Sequence, residues 1–276
     1  MFSAFMHLPL GRRNENSSQE TDKIKFVEPS LLKDKLISEH TKRFIMKYPL
    51  TRLTILGFVI YASKQLGNGM CLLDVGAGDC PYKSIFSHVT YRSADFGKTG
   101  HDYKEIDYFC SADDIPVNEK SFDAILCTEV LEHVPEPKSV LIEFNRVLTA
   151  NGHLFVTTPF IYEVHEAPYD FFRFTSYAIH NLLRETGFEV VFITSRGGWI
   201  ASIAETFKKT YKPLRPPRNA KNLLLYCFLF LPIFILPMLA VRLLPVEVFA
   251  WLDKNLDKDQ IYTPGYAFHA IKIKDL

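Results

Sequence analysis

A chain of 276 residues with 32 basic and 31 acidic side chains, formal net charge +1, has the length of one large α/β domain with an elaboration. Its charge balance excludes a nucleic-acid-binding surface over the whole protein. Five cysteines (Cys71, Cys80, Cys110, Cys127, Cys227), odd in number and without C-x-x-C spacing, exclude a disulfide or zinc framework and fit a reducing compartment.

Residues 1–30, rich in Asn, Ser and Glu, read as a partly disordered lead-in. Arg12 and Arg13 follow the apolar stretch at 1–10, whereas a signal peptide puts its positive residues first. Residues 31–64 carry helical spacing, with Leu53, Leu56, Val59 and Ile60 on one face and Gly67-Asn68-Gly69 as a stop. Strands are predicted over 70–75, 91–96, 108–111, 121–128, 153–159 and 188–194, and helices over 137–148, stopped by Asn151-Gly152, and 176–186. Phe122, Ala124, Ile125, Leu126 and Cys127 give the fourth strand the apolar run of a strand covered on both faces. Strands alternating with helices predict a doubly wound, mainly parallel sheet. A short helix is predicted over 201–211, and 265–274 alternates as a half-exposed final strand.

The hydrophobic fraction of 47% has a local origin. A basic stretch from Lys208 to Lys221 precedes Leu223 to Val241, a run without a charged residue that just reaches the length of a membrane span. Pro232, Pro237 and Pro245 favour a kinked hairpin entering one leaflet over a crossing. The expectation is that 199–263 is an insertion whose segment 223–244 attaches to the cytoplasmic face of a membrane. Arg242 and Glu247 would then lie at the headgroups, with Phe249 and Trp251 as interfacial anchors.

The most informative stretch is Leu72-Leu73-Asp74-Val75-Gly76-Ala77-Gly78. An apolar run ends in a carboxylate and a Gly-x-Gly turn, which lets backbone approach a nucleotide-like ligand. Cys80-Pro81 replace the third glycine of a dinucleotide fingerprint, so no pyrophosphate cradle is implied. Asp95 ends the second strand, where a carboxylate accepts both hydroxyls of a ribose. Ser111-Ala112-Asp113-Asp114-Ile115-Pro116, Ser121-Phe122-Asp123, Thr128-Glu129-Val130-Leu131-Glu132-His133 and the loop from Pro159 through His165, Tyr169, Asp170 and Arg173 to Thr175 follow in order.

In that order these segments resemble the class I S-adenosylmethionine (SAM)-dependent methyltransferases, of the type 11-like kind. The loop after the fifth strand is similar to that of a bacterial subgroup linked to cell-surface polysaccharides and lipids. The resemblance implies a Rossmann-like, seven-stranded α/β sheet with the last strand antiparallel and a hydrophobic, membrane-associated hairpin inserted before it. The methyltransferase domain would comprise 31–198 and 264–276. SAM is the implied cofactor, held by Asp74, Gly76, Ala77, Gly78, Tyr82, Asp95, Ser111, Ala112, Asp113, Thr128 and Glu129. Ser111 stands where the family usually has Asp, so Asp113 is an alternative adenine contact. His133, His165 and Glu129 are candidate catalytic groups, and Tyr169, Asp170 and Arg173 candidate acceptor contacts, Arg173 being suited to phosphate. Asp170 and Arg173 are also spaced for an ion pair that shapes the loop. Glu129, Glu132, His133 and His165 form a set similar to one that holds a divalent ion in some members. The run is common in members without metal, so no metal ligand is assigned.

The implied activity is methyl transfer to a hydroxyl of a membrane-associated or lipid-linked glycan or a small molecule. A quinone or lipid acceptor, or a non-catalytic, membrane-tethered SAM-binding protein, are the alternatives. Nucleic acid is not an expected partner.

Overall fold

Seven strands build one sheet: β1 (Cys71–Val75), β2 (Thr90–Asp95), β3 (Tyr108–Phe109), β4 (Phe122–Thr128), β5 (Leu148–Pro159), β6 (Phe188–Ser195) and β7 (Gly265–Lys272). Their order is β3-β2-β1-β4-β5-β7-β6, with β7 antiparallel to both neighbours and the other pairs parallel. This computed structural model describes residues 29–47, 49–98, 103, 106–210, 228, 239, 243–256 and 262–276. The order reverses between β1 and β4, and such a switch point opens a crevice at the carboxyl ends of the strands.

Helices cover both faces. On one lie α1 (Glu39–Lys47), α2 (Pro49–Gln65) and α5 (Trp199–Thr210), and on the other α3 (Pro137–Val147) and α4 (Ser176–Glu185). Every residue of α2 from Leu53 to Ser63 is buried, not only the predicted face. The sheet residues Leu72, Leu126, Phe155 and Phe192 cover one side of it, and α1 and α5 pack against it as well. Phe58 and Tyr61 meet Phe155 and Phe192 in edge-to-face contacts there. The opposite core joins Leu73, Ile125, Leu154 and Phe268 to Leu141, Phe144, Ile179 and Leu183.

Four local expectations are corrected. The helix before β5 ends at Val147, and Leu148 already pairs with Phe122. The pairing then shifts to Ala124 and His153, so Asn151, at φ +60°, sits in an irregularity of the strand rather than in a helix stop. The third strand is only two residues long, Tyr108 and Phe109, paired with the end of β2 at the sheet edge. The last strand is almost wholly buried, not half-exposed, since it lies between β5 and β6. Finally, 246–256 forms a helix, α6 (Val246–Leu256), packed on α5. Phe249 is buried in it, while Trp251 is exposed, so the two do not share the one anchoring surface expected of them. Asp253 accepts hydrogen bonds from the Gly198 and Ala201 amides at the start of α5.

The membrane-attachment expectation for 223–244, with Arg242 and the proline kinks, falls almost entirely outside the described residues. No helix among the described residues is long and apolar enough to cross a membrane.

Candidate active site

The turn after β1 is built by its glycines. Gly76 and Gly78 have φ of +71° and +56°, a region in which L side chains are disfavoured. A Cβ at Gly76 would also collide with the Val130 side chain. The Gly76 and Ala77 amides donate to the Ala94 carbonyl at 2.8 and 3.2 Å, tying the turn to the end of β2. Asp95 completes the brace: its two carboxylate oxygens accept from the Gly78 and Gly97 amides at 2.9 and 2.8 Å.

Asp74 is buried and accepts a hydrogen bond from the Tyr91 hydroxyl. Burial pushes its carboxyl up to about 7, against the Tyr91 hydrogen bond, with a further upward contribution from Asp95. Tyr82, buried edge-on against Phe44, has its phenol pushed above the ordinary value by the same desolvation.

The crevice at the switch point is a cavity of about 650 Å³. Asp74, Gly76, Ala77, Gly78, Tyr82, Asp95, Ser111, Ala112, Asp113, Thr128 and Glu129 all line it, as do His133, His165 and Tyr169. The Ser111 hydroxyl donates to Asp113, so the two alternative adenine contacts form one unit. Asp170 and Arg173 are not part of the lining. Arg173 Nη1 and Nη2 lie 2.6 and 2.8 Å from the two Asp170 oxygens, and the guanidinium also donates to the Phe172 and Glu163 carbonyls. These contacts spend its donors inside the loop and hold the Asp170 carboxyl well below the usual carboxylate range. Of their two predicted roles, the ion pair that shapes the loop is the one the geometry displays, and the phosphate contact is withdrawn.

The loop is also fastened to the turn below it. Leu131–His133 forms a single 3-10 turn, and the Phe171 and Phe172 amides donate to its Glu132 carbonyl at 2.8 and 3.2 Å. The His133 ring then faces the His165 ring edge-on, with centroids 4.6 Å apart. His133 Nδ1 lies 2.6 Å from the Tyr169 carbonyl, so Nδ1 carries the proton and Nε2 is left as the basic nitrogen. Burial, with His133 next to it, lowers the basicity of His165. Glu132, fully buried, has its carboxyl raised well above the usual range by desolvation and by Glu129.

Glu129 has a different environment from its neighbours. It adopts φ +57°, which is unusual for a residue with a side chain and costs about 1–3 kcal/mol that the surrounding contacts must offset. Its carboxylate accepts from Thr157 Oγ1 at 2.9 Å and pairs with the fully buried Arg196. Glu129 is thus anchored by Thr157 and Arg196 on the wall of the cavity that His133 and His165 also line.

Sequence reasoning missed three contributors. Arg196 resembles any arginine after a strand, and only the following Gly197-Gly198 hints at a special turn. Gly265 gives it room, since a Cβ there would strike its guanidinium. Phe44, Arg52 and Ile55 bring α1 and α2 to the cavity as a wall. Phe96 and Tyr169 meet edge-on at 5.8 Å, closing an aromatic rim with Phe171 and Tyr162.

Comparison with known proteins agrees with this architecture. A family model described as a methyltransferase domain matches residues 73–156. Ubiquinone biosynthesis O-methyltransferase of Vibrio atlanticus is 36% identical over 56 residues, covering 20% of this chain and 24% of the relative. The Xanthomonas oryzae protein of the same name is 39% identical over 56 residues, 20% of this chain and 23% of the relative. The chain thus aligns with about a quarter of the length of the curated relatives it matches. Among solved structures, Burkholderia thailandensis 1,6-didemethyltoxoflavin-N1-methyltransferase, with bound 1,6-didemethyltoxoflavin and S-adenosylhomocysteine, superposes with a TM-score of 0.50. It is 13% identical, with 85% of this chain and 87% of that chain covered.

Proposed function

From a chain that belongs to the class I SAM-dependent methyltransferases, we infer an O-methyltransferase acting on a hydroxyl of an uncharged acceptor with an apolar or aromatic body. The observation that carries this reading is one cavity joining an acid-lined glycine turn to a pair of imidazoles under an aromatic rim.

The residues fit the cofactor. Asp74, Asp79, Asp95, Asp113 and Glu129 line the cavity against Arg52 as the one guanidinium among the described lining residues, a balance that attracts a cation such as SAM. Asp95, braced by two amides, presents a fixed carboxylate to a ribose. When bound, SAM supplies an activated methyl group with its own leaving group, so the protein's tasks are alignment, exclusion of water and removal of the acceptor's proton. His133 Nε2 is the first candidate to take that proton, and His165 the second.

The same acid excess, with Arg173 turned inward, disfavours a phosphate-bearing acceptor. The lipid-linked expectation therefore narrows to neutral molecules. Two supports favour an apolar one: the rim of Phe96, Tyr162, Tyr169 and Phe171, and the local likeness to ubiquinone biosynthesis O-methyltransferases. On sequence alone, 223–244 is proposed as a tether to the cytoplasmic face of a membrane, where such acceptors reside.

The test is transfer of labelled methyl from SAM into an extract of the native host, followed by organic–aqueous partition, with Asp74→Asn as control. Label in the organic phase, absent from the control, is expected. Label only in the aqueous phase would reject the apolar acceptor. Undetectable SAM binding by calorimetry would leave a non-catalytic protein.

A further inference from the structure

Methyl transfer as described leaves Glu132 without a task. The side chain has no solvent exposure, and neither carboxylate oxygen has a hydrogen-bond partner. Burying an unpaired carboxylate is strongly unfavourable, so such a group is either held neutral or balanced by a cation. The nearby guanidiniums make their ion pairs elsewhere, Arg196 with Glu129 and Arg173 with Asp170, although Arg196 Nε has no hydrogen-bond partner.

What faces Glu132 is an imidazole lone pair. His133 Nε2 is 3.6 Å from Glu132 Oε1 and 3.8 Å from Glu166 Oε2. Its Nδ1 donates to the Tyr169 carbonyl, so the neutral ring presents its Nε2 lone pair to those carboxylates. A lone pair turned toward carboxylates is repulsive unless a proton or a metal cation lies between them. His165 repeats the arrangement, with Nδ1 3.1 Å from the Glu163 carbonyl. A carbonyl behind each ring is the outer support that metal-ligating histidines use. One ligand atom from each of Glu132, His133 and His165 lies within 4.8 Å of the others.

We propose that Glu132, His133 and His165 bind a divalent first-row transition-metal ion, with Glu166 beside it, on the acceptor side of the cavity. Two imidazoles and a carboxylate form a donor set suited to Zn²⁺, Fe²⁺, Co²⁺ or Mn²⁺ rather than to Mg²⁺ or Ca²⁺. Ligand atoms about 2.1 Å from a tetrahedral ion lie roughly 3.4 Å apart, so the set, now within 4.8 Å, tightens on loading. Glu129, bound to Arg196, is not a ligand. His133 and His165 line the cavity, so the ion has an open side where an acceptor hydroxyl is polarised. In the loaded protein His133 acts through the ion, and in the ion-free protein it is the base named above.

The purpose of the ion rests on the methyltransferase reading, but its presence is read without turnover. Tag-free full-length protein, stripped with a chelator, is titrated separately with Zn²⁺, Mn²⁺ and Mg²⁺ by calorimetry, and bound metal is counted by mass spectrometry. SAM binding is measured in parallel. About one Zn²⁺ or Mn²⁺ per chain is expected, with Mg²⁺ weaker. Glu132→Gln and His165→Ala should each weaken binding about tenfold or more, with His180→Ala, on the exposed face of α4, as the unaffected control. A folded wild-type protein that binds SAM but takes up no ion would overturn the site. So would Glu132→Gln binding the ion as wild type does. Failure to bind SAM with the ion still held would instead reject the methyltransferase reading.

Discussion

Arg196 and Glu129 meet inside the protein: one guanidinium nitrogen, Nη2, lies 3.0 Å from Glu129 Oε1 and 3.1 Å from Oε2. The same nitrogen donates to the Thr158 carbonyl at 3.2 Å, so a single side chain fastens the segments after β4 and β6 to the end of β5. Removing the fully buried Arg196 leaves Glu129, only partly exposed on the cavity wall, without its counter-charge. Arg196→Ala is expected to lower stability by about 2–4 kcal/mol in urea denaturation, below the full cost of orphaning a wholly buried charge because Glu129 keeps some exposure. Arg196→Met combined with Glu129→Gln should recover much of that loss. A double variant as unstable as the single one would show that packing, not charge, is the issue.

Cofactor binding should depend on pH through Asp74. Its carboxyl, raised to about 7, is negative above that value and neutral below it. A cationic ligand favours the negative form, so SAM affinity should fall as pH drops below about 7, by at most about tenfold per pH unit. Calorimetry across pH 5.5–8.5 checks this. Asp74→Asn should bind weakly and without the pH dependence.

Gly76→Ala combines a left-handed backbone with a collision against Val130. A lowered thermal midpoint and a SAM affinity at least tenfold weaker are expected, corresponding to about 1.4 kcal/mol or more. Unchanged affinity would show that the turn is not the cofactor's cradle.

Turnover should depend on the imidazole pair. His133→Ala is expected to lower kcat by about 10²- to 10⁴-fold while leaving SAM affinity nearly unchanged, with a smaller effect for His165→Ala. Equal turnover in wild type and both variants would remove the pair from catalysis.

The sheet and most of the cavity wall were legible because their signals are local in the chain. Asp74 to Gly78 and Thr128 to His133 each follow a strand directly, so reading the strand places the residues at its carboxyl end. Asp170 and Arg173, three apart, announced their pairing by spacing. Arg196 gave no such sign, because its partner is 67 positions away and a buried arginine looks like an exposed one in sequence. The α2 wall was hidden for a related reason: periodicity identifies one packed face, whereas α2 is covered on all sides. Helix α6 is hidden in the sequence because Phe249 and Trp251, close after the uncharged run, read as interfacial anchors rather than as a helix packed on the domain.

The place of β7 has a consequence for how the chain assembles. On the side of the sheet away from β4, β5 bonds only to β7, and β6 reaches the sheet only through β7. During synthesis β6 emerges well before β7 yet has no strand to join. The far edge therefore cannot be laid down in the order of translation. β7, the last of these seven strands to be made, is the suture between two pieces made earlier, and until it arrives hydrogen-bonding edges of β5 and β6 stand open to chaperones, or to other nascent chains.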